Sequence, residues 1–470
     1  KHKPVIAVKS GKTAAGSRAV SSHTGTLAGS ERAYEAAFSQ SGVLRASSIE
    51  QLFDYSLAFA YQPRLKGRNI AIVTNAGGPG IMATDALESS GMKLARLQPE
   101  TIELLRESLP PAANIYNPID VIGDALVDRY EVALKAVLED KSVDGVMVIL
   151  TPQVYTQIEE TAEAVGRLAA EHDKPVLGCF MGEQQVGAGT KILNEYKIPN
   201  YSFPERAAGA FKGMAQYWER CQQSTPSYER FKVDRDRVRE VFDRARSEDR
   251  LALGDAEARD IMTAYGLVIP RSTLAKTVEQ AVSAADSIGY PVVMKIASPD
   301  ILHKSDIAGV RLNVRDAEQV RDFFDLLVYR AQRYVPDAEI WGVLVQEMIS
   351  GGKEVIVGVN RDPQFGPLLM FGLGGIYIEI LKDVTFRVAP VSRQEAETMI
   401  GEIRAYHLLR GVRGERPSDL EAIVETILRI SQLVTDFPEI VEMDINPLVA
   451  KEEGKGVVAV DMRFVLKEKE

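Results

Sequence analysis

The chain has 470 residues, 45% of them hydrophobic and 26% charged, with a formal net charge of −10. That length exceeds what one hydrophobic core supports and predicts two to four domains. The acidic balance argues against a sequence-independent grip on nucleic acid, and no apolar run reaches the roughly 18 residues of a membrane span. Two cysteines, Cys179 and Cys221, neither in a CxxC, exclude a disulfide framework or a zinc site. A cytoplasmic protein is the expectation.

In chain order, 4–8 (Pro-Val-Ile-Ala-Val) reads as a strand, followed by a loop over 9–30 rich in Gly, Ser, Thr and Ala. Helical periodicity runs through 31–66, carried by Ala33, Ala36, Ala37, Leu52, Phe53 and Leu57. The next clear strand lies beyond residue 65, so the first strand reads as one whose sheet partners are missing or on another chain. From residue 69, strands at 69–74, 93–97, 145–151, 174–180 and near 200–203 alternate with helical runs at 81–90, 129–138 and 156–171. That βαβ rhythm predicts a flavodoxin-like, doubly wound parallel sheet over 67–222. Charge density over 223–250 predicts an exposed linker and a solvated helix. Beyond 251, a helix at 255–265 precedes strands at 291–296, 309–314, 340–347, 354–359 and 368–371, with a last pair near 442–450 and 456–461. Mixed helices and antiparallel-type strands predict a separate α+β module.

Several stretches carry chemistry. In Ser-Ser-His-Thr-Gly-Thr-Leu-Ala-Gly-Ser (21–30), His23 stands among small residues after a strand, where doubly wound folds place ligands. Small neighbours admit a phosphate, and imidazole, largely unprotonated at neutral pH, can accept a phosphoryl group. A capping histidine on a surface loop is the bland alternative. At 74–80, Thr-Asn-Ala-Gly-Gly-Pro-Gly joins a strand to a helix, so Gly77, Gly78 and Gly80 can admit an anion to free helix N–H groups. The spacing is neither a dinucleotide fingerprint nor a phosphate loop ending in Gly-Lys-Ser/Thr. Lys295, in Val-Val-Met-Lys on a buried strand, reads as a snorkelling edge residue or as a cation held for phosphate. A second histidine, His303, lies in the polar run 302–310, and Gln346, Glu347 and Met348 precede Gly-Gly-Lys-Glu, which ends at Glu354. In Asp-Ile-Asn-Pro-Leu (444–448), Asn446 has Asp461 on the following strand. Oxygen ligands on adjacent strands suit Mg2+, which keeps water and phosphate oxygens; taken singly, such residues are turn formers before proline.

Together these runs resemble a known family. Lys295, Gln346, Glu347, Met348, Glu354, the 444–448 run and Asp461 follow in the order used by ATP-grasp domains. The 21–29 run is similar to the phosphohistidine loop of the acyl-CoA synthetases that form ATP from ADP. Residues 74–80 and Asn117-Pro118-Ile119-Asp120 are similar to the carboxy-terminal domain of the succinyl-CoA synthetase β subunit. The resemblance covers nearly the whole chain. It implies an α/β fold in which a flavodoxin-like doubly wound parallel sheet domain is followed by an ATP-grasp (α+β) domain. Residues 1–30 would end a succinyl-CoA ligase-like flavodoxin domain, 31–66 would be a helical connector, 67–222 the CoA-ligase domain, 223–250 a linker and 251–470 the ATP-grasp domain.

The resemblance also implies the activity, an ADP-forming acid–thiol ligase that interconverts acyl-CoA, ADP and phosphate with acid, CoA and ATP through an acyl phosphate and a phosphohistidine. His23 would carry the phosphoryl group, and His303 would relay it or contact nucleotide phosphate. Gly77, Gly78 and Gly80 would receive the phosphoryl group, and Lys295 would hold nucleotide phosphates. Gln346, Glu347 and Met348 would line the adenine of ATP or ADP, Glu354 the ribose, and Asn446 with Asp461 would hold Mg2+. The family's CoA-binding domain does not precede the histidine loop in this sequence, so CoA is expected to bind to a partner domain or subunit, within an oligomer. Two other readings fit less of the chain. A carboxylate ligase without phosphohistidine leaves His23 and the Gly77–Gly80 turn without work, and a non-catalytic nucleotide-binding subunit leaves the intact Lys295, Asn446, Asp461 and His23 unexplained.

Overall fold

The computed structural model describes residues 3–11, 13, 30–298, 300–301, 307–374, 383–412 and 414–468. By packing, the chain divides into two units, Lys1–Ala19 with Ser41–Ser224, and Val20–Gln40 with Thr225–Glu470. Among the described residues no helix is long and apolar enough to cross a membrane.

The elements begin with β1 (Ile6–Val8), α1 (Glu31–Ser41), β2 (Leu44–Ala46) and α2 (Ile49–Tyr61). They continue with β3 (Asn69–Thr74), α3 (Gly77–Ser89), β4 (Lys93–Leu94), α4 (Pro99–Ser108), β5 (Ile119–Asp120) and α5 (Val127–Glu139). β6 (Gly145–Leu150), α6 (Ile158–Ala170), β7 (Val176–Phe180), α7 (Gly187–Glu195) and α8 (Pro204–Gln222) follow. In the first unit the strands form a parallel sheet in the order β4-β3-β6-β7, with β5 also on β3. Alternation along β3 shows why helices cover both faces. Ile70 and Ile72 join a core with Ala83, Leu87, Ala207 and Phe211 of α3 and α8. Ala71 and Val73 join another with Leu105, Tyr130, Ala133 and Val165 of α4, α5 and α6. A strand buried on both faces must be apolar throughout, which is why the run was legible. β4 and β5 lie on one edge of β3 and β6 on the other, so the winding reverses at β3, where open α/β sheets leave a crevice at the carboxyl ends of their strands. Cys179 of β7 is fully buried, and burial pushes its thiol up to about 12, as befits a structural thiol.

Two details differ from expectation. β1 does have a neighbour within the chain, since Ile6, Ala7 and Val8 pair in parallel with Leu44, Arg45 and Ala46. The stretch read as continuously helical therefore contains a short strand, buttressed by Tyr55 of α2 and Tyr217 of α8. The strand expected near 200 is a single bridge from Gly178 to Asn200.

The second unit begins with α9 (Arg235–Ser247), α10 (Asp255–Ala264), β8 (Ser272–Ala275), α11 (Val278–Ile288), β9 (Val292–Ala297), β10 (Val310–Val314) and α12 (Ala317–Tyr334). It continues with β11 (Gly342–Glu347), β12 (Lys353–Asp362), β13 (Gly366–Leu373), β14 (Val384–Val388), α13 (Arg393–Gly401) and α14 (Tyr406–Leu409). α15 (Leu420–Asp436), β15 (Ile440–Ala450), β16 (Val457–Ala459) and β17 (Met462–Leu466) complete it. A small antiparallel sheet, β10-β9-β11-β8, packs on α11 and α12. A larger one, β14-β13-β12-β15-β16 with β17 also on β15, packs on α9, α10 and α15. α9 is not the solvated helix its charge suggested. Val238, Val241, Phe242 and Ala245 are buried in the larger core, and its charges occupy the remaining surface.

Candidate functional site

Alternation along β9 sends Val292, Met294 and Ile296 into the small sheet's core and turns Val293 and Lys295 to its other face. On β11, Val343 and Val345 enter the same core, so Leu344 and Gln346 share the face of Lys295; Leu344 lies opposite Lys295, and Gln346 opposite Val293. Lys295 is 4% exposed and Gln346 fully buried. Buried polar groups need partners, and these two converge. Lys295 Nζ and Gln346 Nε2 each donate to the Val460 carbonyl at 3.4 Å, and Nζ lies 3.7 Å from Asp461 Oδ1. Val460 and Asp461 connect β16 to β17, so a buried cation and an amide tie the small sheet to the large one. Gln346 Oε1 accepts from Arg259 Nη2 at 3.0 Å. Arg259, on α10 and itself buried, donates to Asp255 Oδ2 at 2.9 Å and to the Pro270 carbonyl at 2.8 Å. Sequence reasoning missed Arg259; the one-turn spacing from Asp255 was the available signal.

The Asn446 N–H donates to the Asp461 carbonyl at 3.0 Å and the Val460 N–H to the Pro447 carbonyl at 3.0 Å. The Asn-Pro step thus lies directly across from Val460–Asp461. Asn446 is exposed and the Asp461 side chain is 40% exposed, so oxygens of both are accessible to a cation. A neutral amide oxygen and a carboxylate form a hard donor set of the kind that suits Mg2+ alongside water and phosphate. Among the described residues no three His, Cys, Asp or Glu side chains gather as a self-sufficient metal site. The Glu347 carboxylate accepts from Arg271 Nε at 3.2 Å, while its N–H donates to the Arg271 carbonyl at 2.8 Å. The Gln346 side chain is thus spent within the protein, whereas Glu347, at the end of β11, and Met348, just past it, are half-buried. Glu354 is exposed near the start of β12. His23 and His303 lie outside the described residues.

In the first unit, β3 passes into α3 through Asn75 and Ala76. Asn75, 2% exposed, accepts from the Thr151 N–H at 2.9 Å and donates to the Thr151 carbonyl at 2.8 Å, which clamps the ends of β3 and β6 at the switch point. Ala76 caps α3 without a side-chain bond, leaving the first N–H groups of the helix to solvent or ligand. Gly77 and Gly78 are exposed; a Cβ on Gly78 would meet nothing within 4 Å, and one on Gly77 would come within 3.3 Å of Asp120 Oδ2. Gly80 differs. It is buried, its N–H donates to the Ala76 carbonyl at 3.2 Å, and a Cβ there would stand 3.1 Å from Thr74 Cγ2, so its bareness seats the helix on the strand. Asn117 accepts from the Ile72 N–H at 2.9 Å and donates to the Ile70 and Ala95 carbonyls at 2.9 and 3.0 Å, filling the gap between β4 and β5 along β3.

Two sheets joined by a buried lysine beside the Val460–Asp461 turn, in a chain that also holds a doubly wound domain with an uncapped glycine helix start, define a nucleotide-dependent ligase with an ATP-grasp module. The ATP-grasp domain family matches residues 244–466, the succinyl-CoA ligase like flavodoxin domain family 1–59, and the Ligase-CoA domain family 70–226. The chain belongs to the ADP-forming acid–thiol ligases, the family of the ADP-forming acyl-CoA synthetases. It is 44% identical over 474 residues to acetate–CoA ligase (ADP-forming) I of Archaeoglobus fulgidus, a match covering 100% of this chain and 67% of that protein. It is 42% identical over 464 residues to 4-hydroxybutyrate–CoA ligase (ADP-forming) of Nitrosopumilus maritimus, covering 99% of this chain and 66% of that protein. The chain therefore spans about two thirds of the length of these relatives. Among solved structures, it is 41% identical to a chain of the dinucleotide forming acetyl-coenzyme A synthetase 1 of Ca. Korarchaeum cryptofilum, in complex with coenzyme A and Mg-AMPPCP and with its phosphohistidine segment pointing towards the nucleotide binding site. That match covers 49% of this chain and 100% of the other, with a TM-score of 0.44. Relatives also include separate subunits, as in acetate–CoA ligase (ADP-forming) II of Pyrococcus furiosus, whose β and α subunits match 48% and 46% of this chain.

Proposed function

We propose that this chain carries the phosphoryl-transfer and nucleotide-handling parts of an enzyme interconverting acyl-CoA, ADP and phosphate with a carboxylic acid, CoA and ATP. A phosphate oxygen attacks the thioester carbonyl and the C–S bond breaks, giving acyl phosphate and CoA. A ring nitrogen of His23 attacks phosphorus, and the carboxylate leaves with the bridging oxygen. A terminal oxygen of ADP then displaces the imidazole from phosphorus and ATP forms. Positioning and charge neutralisation dominate such transfers. Gly77 and Gly78 offer the open start of α3 to the phosphoryl group, and Gly80 keeps that helix seated. Lys295 neutralises nucleotide phosphates, Gln346 braces the turn it shares with Lys295, Glu347 and Met348 border the base, and Glu354 meets the ribose. Asn446 and Asp461 would hold Mg2+, which when bound neutralises phosphate charge. His303 meets nucleotide phosphate, as relay or as contact.

The observation that carries this reading is the convergence of buried Lys295 on the turn bearing Asp461, opposite Asn446. A buried ammonium is costly unless paired, and this one is held where nucleotide phosphates and a divalent cation would be neutralised together. Residues 67–222 and 251–470 are read as the CoA-ligase and ATP-grasp domains, with 1–30 carrying the histidine loop. CoA is read as binding to a partner domain or subunit, in keeping with the relatives that divide into subunits. The test is labelling by [γ-32P]ATP. Wild-type protein should acquire label that is lost in acid and survives base, and His23→Ala should acquire none. Acid-stable label, or wild-type labelling of His23→Ala, would remove the phosphohistidine and leave a direct carboxylate ligase.

A further inference from the structure

Arg259 joins the two sheets of the second unit through one side chain. Its helix, α10, is seated in the larger core by Ala258, Ile261 and Met262. One turn back, Asp255 accepts from its Nε, and the two side chains are 9% and 8% exposed. The other N–H groups reach the small sheet. Nη1 donates to the Pro270 carbonyl, just before β8, and Nη2 to Gln346 Oε1 on β11. β8 and β11 are neighbours, with Ser272 opposite Gln346. A guanidinium can only donate, whereas an amide accepts at one end and donates at the other. The fully buried Gln346 amide therefore has one workable orientation. With Oε1 towards Arg259, Nε2 faces the Val460 carbonyl and donates to it at 3.4 Å. Turned over, Nε2 would confront the donors of Arg259 and Oε1 the Val460 carbonyl, leaving buried polar groups unpaired. The Val460 carbonyl also receives Lys295 Nζ, at 3.4 Å. On its other side the turn is held by main-chain bonds, from the Asn446 N–H to the Asp461 carbonyl and from the Val460 N–H to the Pro447 carbonyl, each 3.0 Å. The orientation of one amide thus decides whether the peptide leading into Asp461 is drawn towards the small sheet or pushed from it.

We propose that Arg259 is a positioning residue of the nucleotide site. By fixing the orientation of the Gln346 amide it holds the Val460–Asp461 peptide, and so presents the Asp461 carboxylate to Mg2+ beside Lys295 and opposite Asn446. The proposal rests on the reading of Asn446 and Asp461 as the holders of Mg2+. In this role the guanidinium touches neither nucleotide nor metal and acts through Gln346. Removing a group that orients a metal-holding residue costs about tenfold to a hundredfold in metal affinity. Lysine cannot take its place, because an ammonium is a point charge without the planar fork that meets Asp255, Pro270 and Gln346 at once.

The test uses the full chain in two forms. Arg259→Lys keeps a charge for Asp255, and Asp255→Asn with Arg259→Met removes the buried pair without leaving either charge alone. In the unliganded protein, hydrogen exchange at the Asn446 and Val460 amides should quicken at least about tenfold, while amides bonded between β12 and β13 keep their wild-type rates. Calorimetry should show ADP needing at least about tenfold more Mg2+ for half-maximal binding, with ADP alone bound within about threefold of wild type. The same substitutions in a Gln346→Met background should alter the Mg2+ requirement by less than about twofold further, since Arg259 acts through that amide. Additive losses in that background, a wild-type Mg2+ requirement in both forms, or exchange quickened evenly across the unit would each overturn the proposal. Wild-type protein whose ADP affinity does not respond to Mg2+ is a separate result that sinks the reading of Asn446 and Asp461, and the positioning role with it.

Discussion

Lys295 is costly to bury, and two elements share the work of holding it. Its strand supplies the alternation that turns it out of the apolar core, and the Val460 carbonyl with Asp461 supplies the partners. Lys295→Ala should weaken Mg-ADP binding about tenfold to a hundredfold, the loss of a charge-assisted contact worth about 1.5–3 kcal/mol. Calorimetry giving wild-type affinity would contradict its role. This lysine was legible because an ionisable residue interrupting Val-Val-Met stands out in any reading of the strand. Arg259 was not, because its partner Gln346 lies 87 residues away and only the fold brings them together. The same contact changes what Gln346 means. Read as part of an adenine-lining trio, its amide is spent between Arg259 and Val460.

At the scale of elements, the start of α3 separates glycines that look alike in sequence. Gly78 faces open space, so Gly78→Ala should leave thermal stability unchanged or slightly raised, as alanine is the better helix former. The same methyl should obstruct an approaching phosphoryl group, slowing labelling of His23 from acyl-CoA and phosphate in the reconstituted enzyme. Gly80→Ala should destabilise by about 1 kcal/mol, as overpacking does. Its Cβ would meet Thr74 Cγ2 at 3.1 Å, and Thr74 cannot turn away because its hydroxyl accepts from the Ala76 N–H and donates to the Ala76 carbonyl. Thermal unfolding reporting both variants as neutral would remove the distinction. The same contrast explains which elements could be read in advance. β3, β6 and β7 are buried on both faces and announce themselves as apolar runs. β2 is Leu44-Arg45-Ala46, too short to show any period, and α9 hides Val238, Val241, Phe242 and Ala245, at i, i+3, i+4 and i+7, among arginines and acids.

At the scale of the molecule, β1 and β2 pair over three residues each, and a two-stranded sheet that small has little stability alone. Beside it, Ile49, Phe53, Leu57 and Tyr61 of α2 repeat every four residues, each at least 40% exposed. Both features suit a chain that works with a CoA-binding portion on a partner domain or subunit. The chain alone should bind Mg-ADP but make no ATP from acyl-CoA, ADP and phosphate, and adding the CoA-binding portion of the enzyme should restore turnover. Robust turnover by the chain alone would mean that the acyl-CoA site lies within it. The path of the backbone carries a further consequence. It passes from one unit to the other at 19/20, 40/41 and 224/225. A gene divided between Ser224 and Thr225 would not yield two self-sufficient products. The upstream product would keep α1, whose Ala33, Ala36 and Gln40 surface fits Leu368 and Val388 of the downstream one. Each fragment would be born lacking something the other holds, and the loan of one helix would let them find each other and reassemble.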